Sequence, residues 1–421
     1  MKIALVFPKS TFLSSSDVWP PLGLFYLSSQ LEAQGHHTDF FDLSMDELPN
    51  DGDYDQLWVS STSPQIADVR RIGNIVKHWT KTETVLGGAG AWADIEAHLD
   101  LGFDLVVAGE ADSPSRIVRI LWSVGNVSAI ELPSRNSGTG LSWVLPPNRK
   151  WTTRYKSYMK DSEGNSYRMA SLFTVRGCPM GCAFCESGRK GVIWGDTVRY
   201  EPLHVVEQQI KDCVELGFTG LAYYDDVFII NKKRTLKLLE LHKKYSMKFR
   251  CFLRSDILIK HGGKSYLKQM QDGGLIEVFV GVESADNQIK ANVHKGTTIE
   301  QDTKVLEWCK ELGITCKMSF IVGLPGETME SLQKTRAWIL EHRPDRVQVD
   351  RLIPFKGTPL TKHPENYDLQ YEEQPNEEWF FKGRMDLDSR SFVSTSSLSV
   401  EEIDTFWRDL EIELKEKGIS I

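Results

Sequence analysis

Over residues 1–125, short apolar runs alternate with stretches in which apolar positions recur every three or four residues. Lys2–Phe7, Thr38–Leu43, Gln56–Ser61, Glu83–Gly88 and Leu105–Glu110 read as strands. Leu22–Gln34, Gln65–Trp79 and Ile95–Asp100 read as helices, and Pro114–Trp122 as a further helical stretch after the last strand. Gly35 closes the first helix. Such alternation builds parallel strands joined by crossover helices, so the class is α/β and this half is a doubly wound, Rossmann-like sheet. Ligands of these sheets sit beyond the carboxyl ends of the strands. Those ends are Ser60-Ser61-Thr62-Ser63, Gly87-Gly88-Ala89-Gly90 and Gly109-Glu110. They are small, polar or glycine-rich, as close approach of the backbone to a ligand requires. Each alone is also ordinary turn chemistry.

Residues 126–170 are polar and weakly patterned, which predicts a linker. A second α/β series begins at Ser171. Its strands are expected at Leu172–Arg176, Leu221–Asp225, Lys248–Ser255, Ile276–Val282, Thr315–Val322 and Arg346–Ile353. Between them lie helices at Pro202–Leu216, Lys233–Tyr245, Lys264–Asp272, Ile299–Leu312 and Met329–His342. Six strand–helix units over residues 171–359 fit a partial (β/α)6 barrel better than a closed eightfold one, with chemistry at the strands' carboxyl ends. Residues 360–421 end in a helix, Val400–Lys417, and read as a small cap for the barrel mouth.

Composition narrows the function classes. Hydrophobic residues are 41% and charged residues 26%, as in globular proteins. A net charge of -8 argues against a stable nucleic-acid partner, which normally needs a basic surface. The N-terminal apolar run is about six residues and is no secretory signal, and no stretch reaches the roughly 18 apolar residues of a membrane span. A cytoplasmic protein is expected. Seven cysteines, three of them within one short segment, favour a metal site over a disulfide framework.

That segment is Arg176-Gly177-Cys178-Pro179-Met180-Gly181-Cys182-Ala183-Phe184-Cys185. It follows an expected strand, so it is a loop at the barrel mouth. C-x-x-x-C-x-x-C lets three thiolates converge, and sulfur ligands suit iron–sulfur clusters or zinc. Structural zinc wants a fourth ligand, and no further Cys or His lies nearby. Three ligands on a four-iron cluster leave one iron open.

This loop, with an aromatic residue before the third cysteine, resembles the signature of the radical S-adenosylmethionine superfamily. The resemblance extends along the barrel in family order. Tyr224-Asp225-Asp226 resembles the second-strand acidic motif beside the amino group of S-adenosylmethionine. Arg254 stands where a polar cofactor contact is common. Glu283-Ser284 resembles the fourth-strand motif near the carboxylate and ribose. Gly323-Leu324-Pro325-Gly326-Glu327 resembles the fifth-strand adenine-side motif, and Pro354-Phe355 the segment after the sixth. The resemblance implies a 4Fe-4S cluster on Cys178, Cys182 and Cys185, with Phe184 beside it. It also implies S-adenosylmethionine as second cofactor, an external electron donor such as flavodoxin or ferredoxin, and hydrogen abstraction by a 5′-deoxyadenosyl radical. Read as residues alone, Asp225-Asp226 fit a capping pair, Glu283 fits an ion pair with Arg254, and the glycines fit turns.

The N-terminal half is similar to the cobalamin-binding class of the superfamily, through Pro20-Pro21-Leu22-Gly23-Leu24, Gly35-His36 to Asp42, Gly87-Gly88 and Gly109-Glu110. That class implies cobalamin (vitamin B12) near Ser60, Ser61, Thr62, Gly87, Gly88, Gly109 and Glu110. The Pro8–Pro21 loop contains no histidine, so it offers no cobalt ligand. His36, His37 and His98 are expected at the surface, and Trp58 in the core. The resemblance implies a methyltransferase acting on a small molecule or a peptide. Cyclisation, rearrangement or methylthiolation with a degenerate N-terminal domain is the alternative. The absence of cysteine before Cys178 speaks against a second cluster of the methylthiotransferase kind.

Overall fold

The computed structural model describes residues 1–10, 18–110, 119–124, 127–131, 141–189, 193–194, 197–371 and 390–421, with only the backbone of 119–131. Half of the Pro8–Pro21 loop, the start of the expected Pro114–Trp122 helix, and parts of the expected linker and cap lie outside these residues. The chain forms two compact units, one of Met1–Ser157 with Val192–Asp212, the other built on Tyr158–Gly191 and Cys213–Pro375 with the C-terminal helix.

The first unit carries a seven-stranded sheet. Its five leading strands, His37–Asp42, Lys2–Phe7, Gln56–Ser60, Glu83–Gly87 and Leu105–Ala108, lie in that spatial order and are all parallel. This is the doubly wound order, with its switch point between the strands at Lys2–Phe7 and Gln56–Ser60. Apolar runs explain it: Ile3, Ala4, Leu5 and Val6 are fully buried, as parallel strands covered on both faces require. A hairpin of Arg119–Val124 and Val127–Glu131 completes the sheet. Two expectations change here. Residues from Arg119 onward are strand rather than helix, and part of the expected linker belongs to this sheet.

In the second unit, Ser166–Leu172, Gly220–Tyr223, Lys248–Leu253, Leu275–Glu283, Thr315–Val322 and Arg346–Arg351 form six consecutive parallel strands. Tyr158–Lys160 adds an antiparallel edge to the first of them. The sheet does not close, so it is a partial barrel. Along Thr315–Val322 buried and half-buried residues alternate. Phe320 meets Trp338 of the helix Met329–His342, at 5.8 Å between ring centroids, so the buried set faces the helices. Lys317, Ser319 and Ile321 therefore face an open lumen. The C-terminal helix Val400–Glu416 lies against the last strand, where Arg351 bonds Asp404 at 2.7 Å and the Trp407 indole donates to the Val349 carbonyl at 2.8 Å. It covers the outer face of an edge strand, a protective device for an open sheet, while Leu360, Leu369 and Val393 of the same C-terminal segment share one core cluster with Ala183 of the cysteine loop and Leu324.

Candidate active site

The strand expected at Leu172–Arg176 begins and ends earlier, at Ser166–Leu172. Asp225 supplies the reason. Its carboxylate accepts from the Thr174 and Val175 amides, at 2.6 and 3.0 Å, and from the Thr174 hydroxyl. Backbone groups that would extend the ladder are taken by a side chain, and the chain turns into the cysteine loop. Asp225 is fully buried there. Gly177, at φ 93°, makes the next turn. A Cβ on Gly188 would lie 2.8 Å from the Met180 carbonyl, so the loop can close on itself only at glycine. Its middle is pinned by the Ala183 amide donating to Val293 at 2.9 Å.

Cys178 and Cys182 are buried and Cys185 half-buried, all three as free thiols. Burial pushes Cys178 up to about 11 and Cys185 up to about 12, with Asp226 and the neighbouring thiols adding to the rise. Asp226 keeps an exposed surface, yet desolvation by its surroundings lifts it to about 7, against a hydrogen bond from Ser187. Buried thiols such as Cys178 and Cys185, which resist ionisation as they stand, suit a centre that binds thiolates outright.

Arg254 ends the third strand and directs Nη1 at Cys182 Sγ, 3.6 Å away. Its other donors are held by Asp256 and the Lys295 carbonyl. The expected Arg254–Glu283 pair is absent. Glu283 pairs instead with Lys295, 2.6 Å away, in a buried contact. The local sequence hides this, because the two residues are joined by the helix Asn287–Asn292, which the pattern did not predict. Beneath it, buried Lys290 pairs with Asp302, which also accepts from Ser255 at 2.6 Å. Glu283 sits at φ 69°, a strained setting for a side-chain-bearing residue. Ser284 is buried, its hydroxyl accepting from the Asp286 amide at 3.2 Å.

Gly323 takes φ 89°, and Glu327 folds back to accept the Gly323 and Leu324 amides at 2.7 and 3.1 Å. Phe184 packs on Ala183, Ile289, Val293 and Leu324, which joins the cysteine loop to the fifth-strand turn. Pro354 is buried at the end of the sixth strand. Tyr224 falls elsewhere: its ring lies in the lumen between Phe173 and Phe252, at 5.9 and 6.4 Å.

In the first unit, the strand ends come together but for a different reason than expected. A Cβ on Gly88, at φ 102°, would fall 2.5 Å from the Ser61 carbonyl oxygen, and one on Gly90 would fall 2.8 Å from Ser61 Oγ. These glycines admit the neighbouring chain, while Gly87 has only ordinary contacts at 3.4 Å and beyond. Ser61 is fully buried and shares its hydroxyl with His98 Nε2 at 2.9 Å. His98 is therefore a core residue and not a surface one. The Asp94 carbonyl, 2.6 Å from Nδ1, satisfies its other nitrogen, which makes burial tolerable. Trp58, expected in the core, is half-buried and donates to Gln56 at 2.8 Å.

Ser60 and Thr62 remain half-buried, and Gly109 takes φ 113°. Glu110 is buried in a two-pronged pair with Arg199, a partner 89 residues away that no local motif signals. Hydroxyls and bare backbone at these ends suit a large polar cofactor, and none of the described residues of the Pro8–Pro21 loop is a histidine that would bind its metal.

Two family models match this chain. Residues 172–339 match the radical SAM superfamily and residues 9–119 the B12 binding domain. The chain belongs to the radical SAM superfamily, in its cobalamin-binding group. Its cofactors are a 4Fe-4S cluster, S-adenosylmethionine and cobalamin, and it is an enzyme. An uncharacterised methyltransferase of Pyrococcus horikoshii is 25% identical over 391 residues, covering 86% of this chain and 83% of that protein. The anaerobic magnesium-protoporphyrin IX monomethyl ester cyclase of Rubrivivax gelatinosus is 26% identical over 377 residues, covering 81% of this chain and 66% of the cyclase. Among solved structures, the radical S-adenosylmethionine methyltransferase TsrM from Kitasatospora setae superposes with a TM-score of 0.67 at 16% identity, covering 89% of this chain and 81% of TsrM. That likeness supports the fold of this radical SAM protein. No helix among the described residues is long and apolar enough to cross a membrane.

Proposed function

We propose that this radical SAM enzyme is a cobalamin-dependent methyltransferase that acts on an unactivated carbon in the cytoplasm, fed by an external electron donor such as flavodoxin or ferredoxin. The observation that carries this reading is the pairing of a B12 binding domain with a radical SAM domain in one chain whose relatives include a named methyltransferase. When bound, the cofactors supply one-electron cleavage of S-adenosylmethionine and a transferable methyl group.

The chain's own residues do the positioning. Cys178, Cys182 and Cys185 hold the cluster, and Phe184 shields it. Asp225 fixes the entry of the cysteine loop through Thr174 and Val175. Asp226, Arg254, Glu283, Ser284, Gly323 and Pro354 border the S-adenosylmethionine site, and Lys295 holds the Glu283 carboxylate in place. Ser60, Thr62, Gly87, Gly109 and the backbone around Ser61 and Gly88 border the cobalamin. Glu110 acts through Arg199, by fixing the end of its strand.

Non-methylating chemistry is the second reading, favoured by the likeness to the Rubrivivax cyclase. The two separate on a reaction that needs no substrate. Anaerobically reconstituted protein loaded with hydroxocobalamin is reduced and given S-adenosylmethionine. Appearance of the methylcobalamin spectrum with equimolar S-adenosylhomocysteine supports the methyltransferase. Bound corrinoid that stays unmethylated moves the protein to the second reading.

A further inference from the structure

The lumen face of the barrel sheet carries a row of aromatic rings that neither cofactor site uses. Phe252 lies in register with Phe279, Phe279 with Lys317, and Lys317 with Arg346. Tyr224 and Phe173 continue the row on the next strands. Ring centroids follow one another at 5.9 Å from Phe173 to Tyr224, 6.4 Å to Phe252 and 4.9 Å to Phe279. All four rings are half-buried, so each keeps a face toward the lumen, while the residues on the opposite side of the same strands are buried against helices. The row above contains Gly281, Ser319 and Gln348 in register, and Arg254 with its reach to Cys182. At about 3.3 Å per residue, the aromatic row lies about 7 Å along the strands below the cofactor end.

Lys317 closes the row. Its Nζ lies 4.9 Å from the Phe279 ring centroid. It has no hydrogen bond or ion pair among the described residues. The nearby Glu277 carboxylate is held by Arg250 and Arg346, at 3.3 and 3.0 Å, and Asp350 accepts from Gln348 at 2.7 Å. A half-buried ammonium whose partner is a ring face and not a carboxylate is incompletely paired and calls for an anion. Burial accordingly lowers the Lys317 pKa below its ordinary value. Half-buried rings in a row offer an apolar surface that suits a flat apolar body.

We propose that the substrate held in the barrel lumen is a flat, largely apolar ring system bearing a carboxylate. The ring system lies on Phe173, Tyr224, Phe252 and Phe279, and the carboxylate meets Lys317. This rests on the reading of the protein as a radical enzyme acting on carbon, and deepens it.

The probes are 1-pyrenebutyrate and 1-pyrenebutanol, which share a flat ring and differ in the carboxylate. They are titrated by fluorescence into anaerobically reconstituted full-length protein. The butyrate binds about tenfold more tightly than the alcohol, as one charge-assisted contact implies. Lys317→Met removes that preference and keeps binding of the alcohol, and Phe279→Leu weakens both probes. Equal affinity of the probes, failure of both to bind, or a preference that survives in Lys317→Met overturns the proposal. Iron content confirms that each variant is folded. The same samples are assayed for methyl transfer from S-adenosylmethionine to bound corrinoid. Loss of that transfer with the preference intact removes the reaction and leaves the site, and the converse removes the site and leaves the reaction.

Discussion

Replacing Lys295 by Met isolates one buried charge at the cofactor end of the barrel. Lys295 and Glu283 have side chains only 8% exposed, and their charged atoms lie 2.6 Å apart. The pair is packed so closely that a Cβ on Gly281 would strike both charged ends. Removing one partner leaves the Glu283 carboxylate buried and unpaired, a change that costs about 3–5 kcal/mol. At about 2–4 °C per kcal/mol for a folded unit of this size, the melting temperature falls on the order of 10 °C. The double variant Lys295→Met/Glu283→Gln has no orphaned charge and regains most of the loss. The sign of the pH dependence follows from the lysine. Burial lowers its pKa, but Glu283 and Cys182 more than reverse this and hold it above the ordinary 10.5. The stabilisation is thus complete below 10.5 and is lost only as pH rises through the higher folded value, so the deficit is constant across neutral pH. Urea unfolding of the anaerobic apoprotein measures the wild type and both variants. A Lys295→Met protein that unfolds at the wild-type midpoint refutes the reasoning, as does a double variant weaker than the single one.

Asp225→Ala frees the Thr174 and Val175 amides. With three hydrogen bonds lost from a buried site, stability drops by about 3 kcal/mol and the iron retained after reconstitution falls. Unchanged iron would show that the loop does not depend on this carboxylate. Glu327 is lifted by burial from 4.5 to about 8, so the folded state binds its proton more tightly than the unfolded chain and stability falls as pH rises between those values. Glu327→Gln keeps an acceptor for the Gly323 and Leu324 amides and flattens that slope in denaturant midpoints taken across the range. An unaltered slope assigns the titration elsewhere. Arg254→Met removes a cationic donor from Cys182 and lowers the midpoint potential of the cluster in an EPR-monitored redox titration. A potential equal to or above wild type contradicts the contact. Gly88→Ala places a methyl against the Ser61 backbone and abolishes corrinoid retention on gel filtration. Full retention would mean that the strand ends can part.

Much of this architecture was legible because the physics behind it is local. Lys2–Phe7, Thr315–Val322, Lys264–Asp272, Ile299–Leu312 and Met329–His342 carry their apolar period within a dozen residues, and they form where the pattern puts them. The cysteine loop announces itself by spacing alone. What stayed hidden depends on partners far along the chain. Asp225 stops the first barrel strand from a position 51 residues away. Lys295 replaces Arg254 as the partner of Glu283, and Arg199 takes Glu110. His98 is buried by one serine and one carbonyl, which no periodicity reports. Gly88 and Gly90 were rightly singled out as sites of close approach, but what approaches is the protein's own chain.

The account depends on Cys178, Cys182 and Cys185 jointly holding one iron–sulfur cluster. Anaerobic reconstitution with iron and sulfide, followed by metal analysis and EPR of the reduced protein, measures this directly. The wild type is predicted to take up about four irons per chain and to give a reduced-cluster signal that changes when S-adenosylmethionine is added. The triple Cys→Ala variant is predicted to take up none. Wild-type protein that stays free of iron, or a triple variant that retains it, contradicts the assignment.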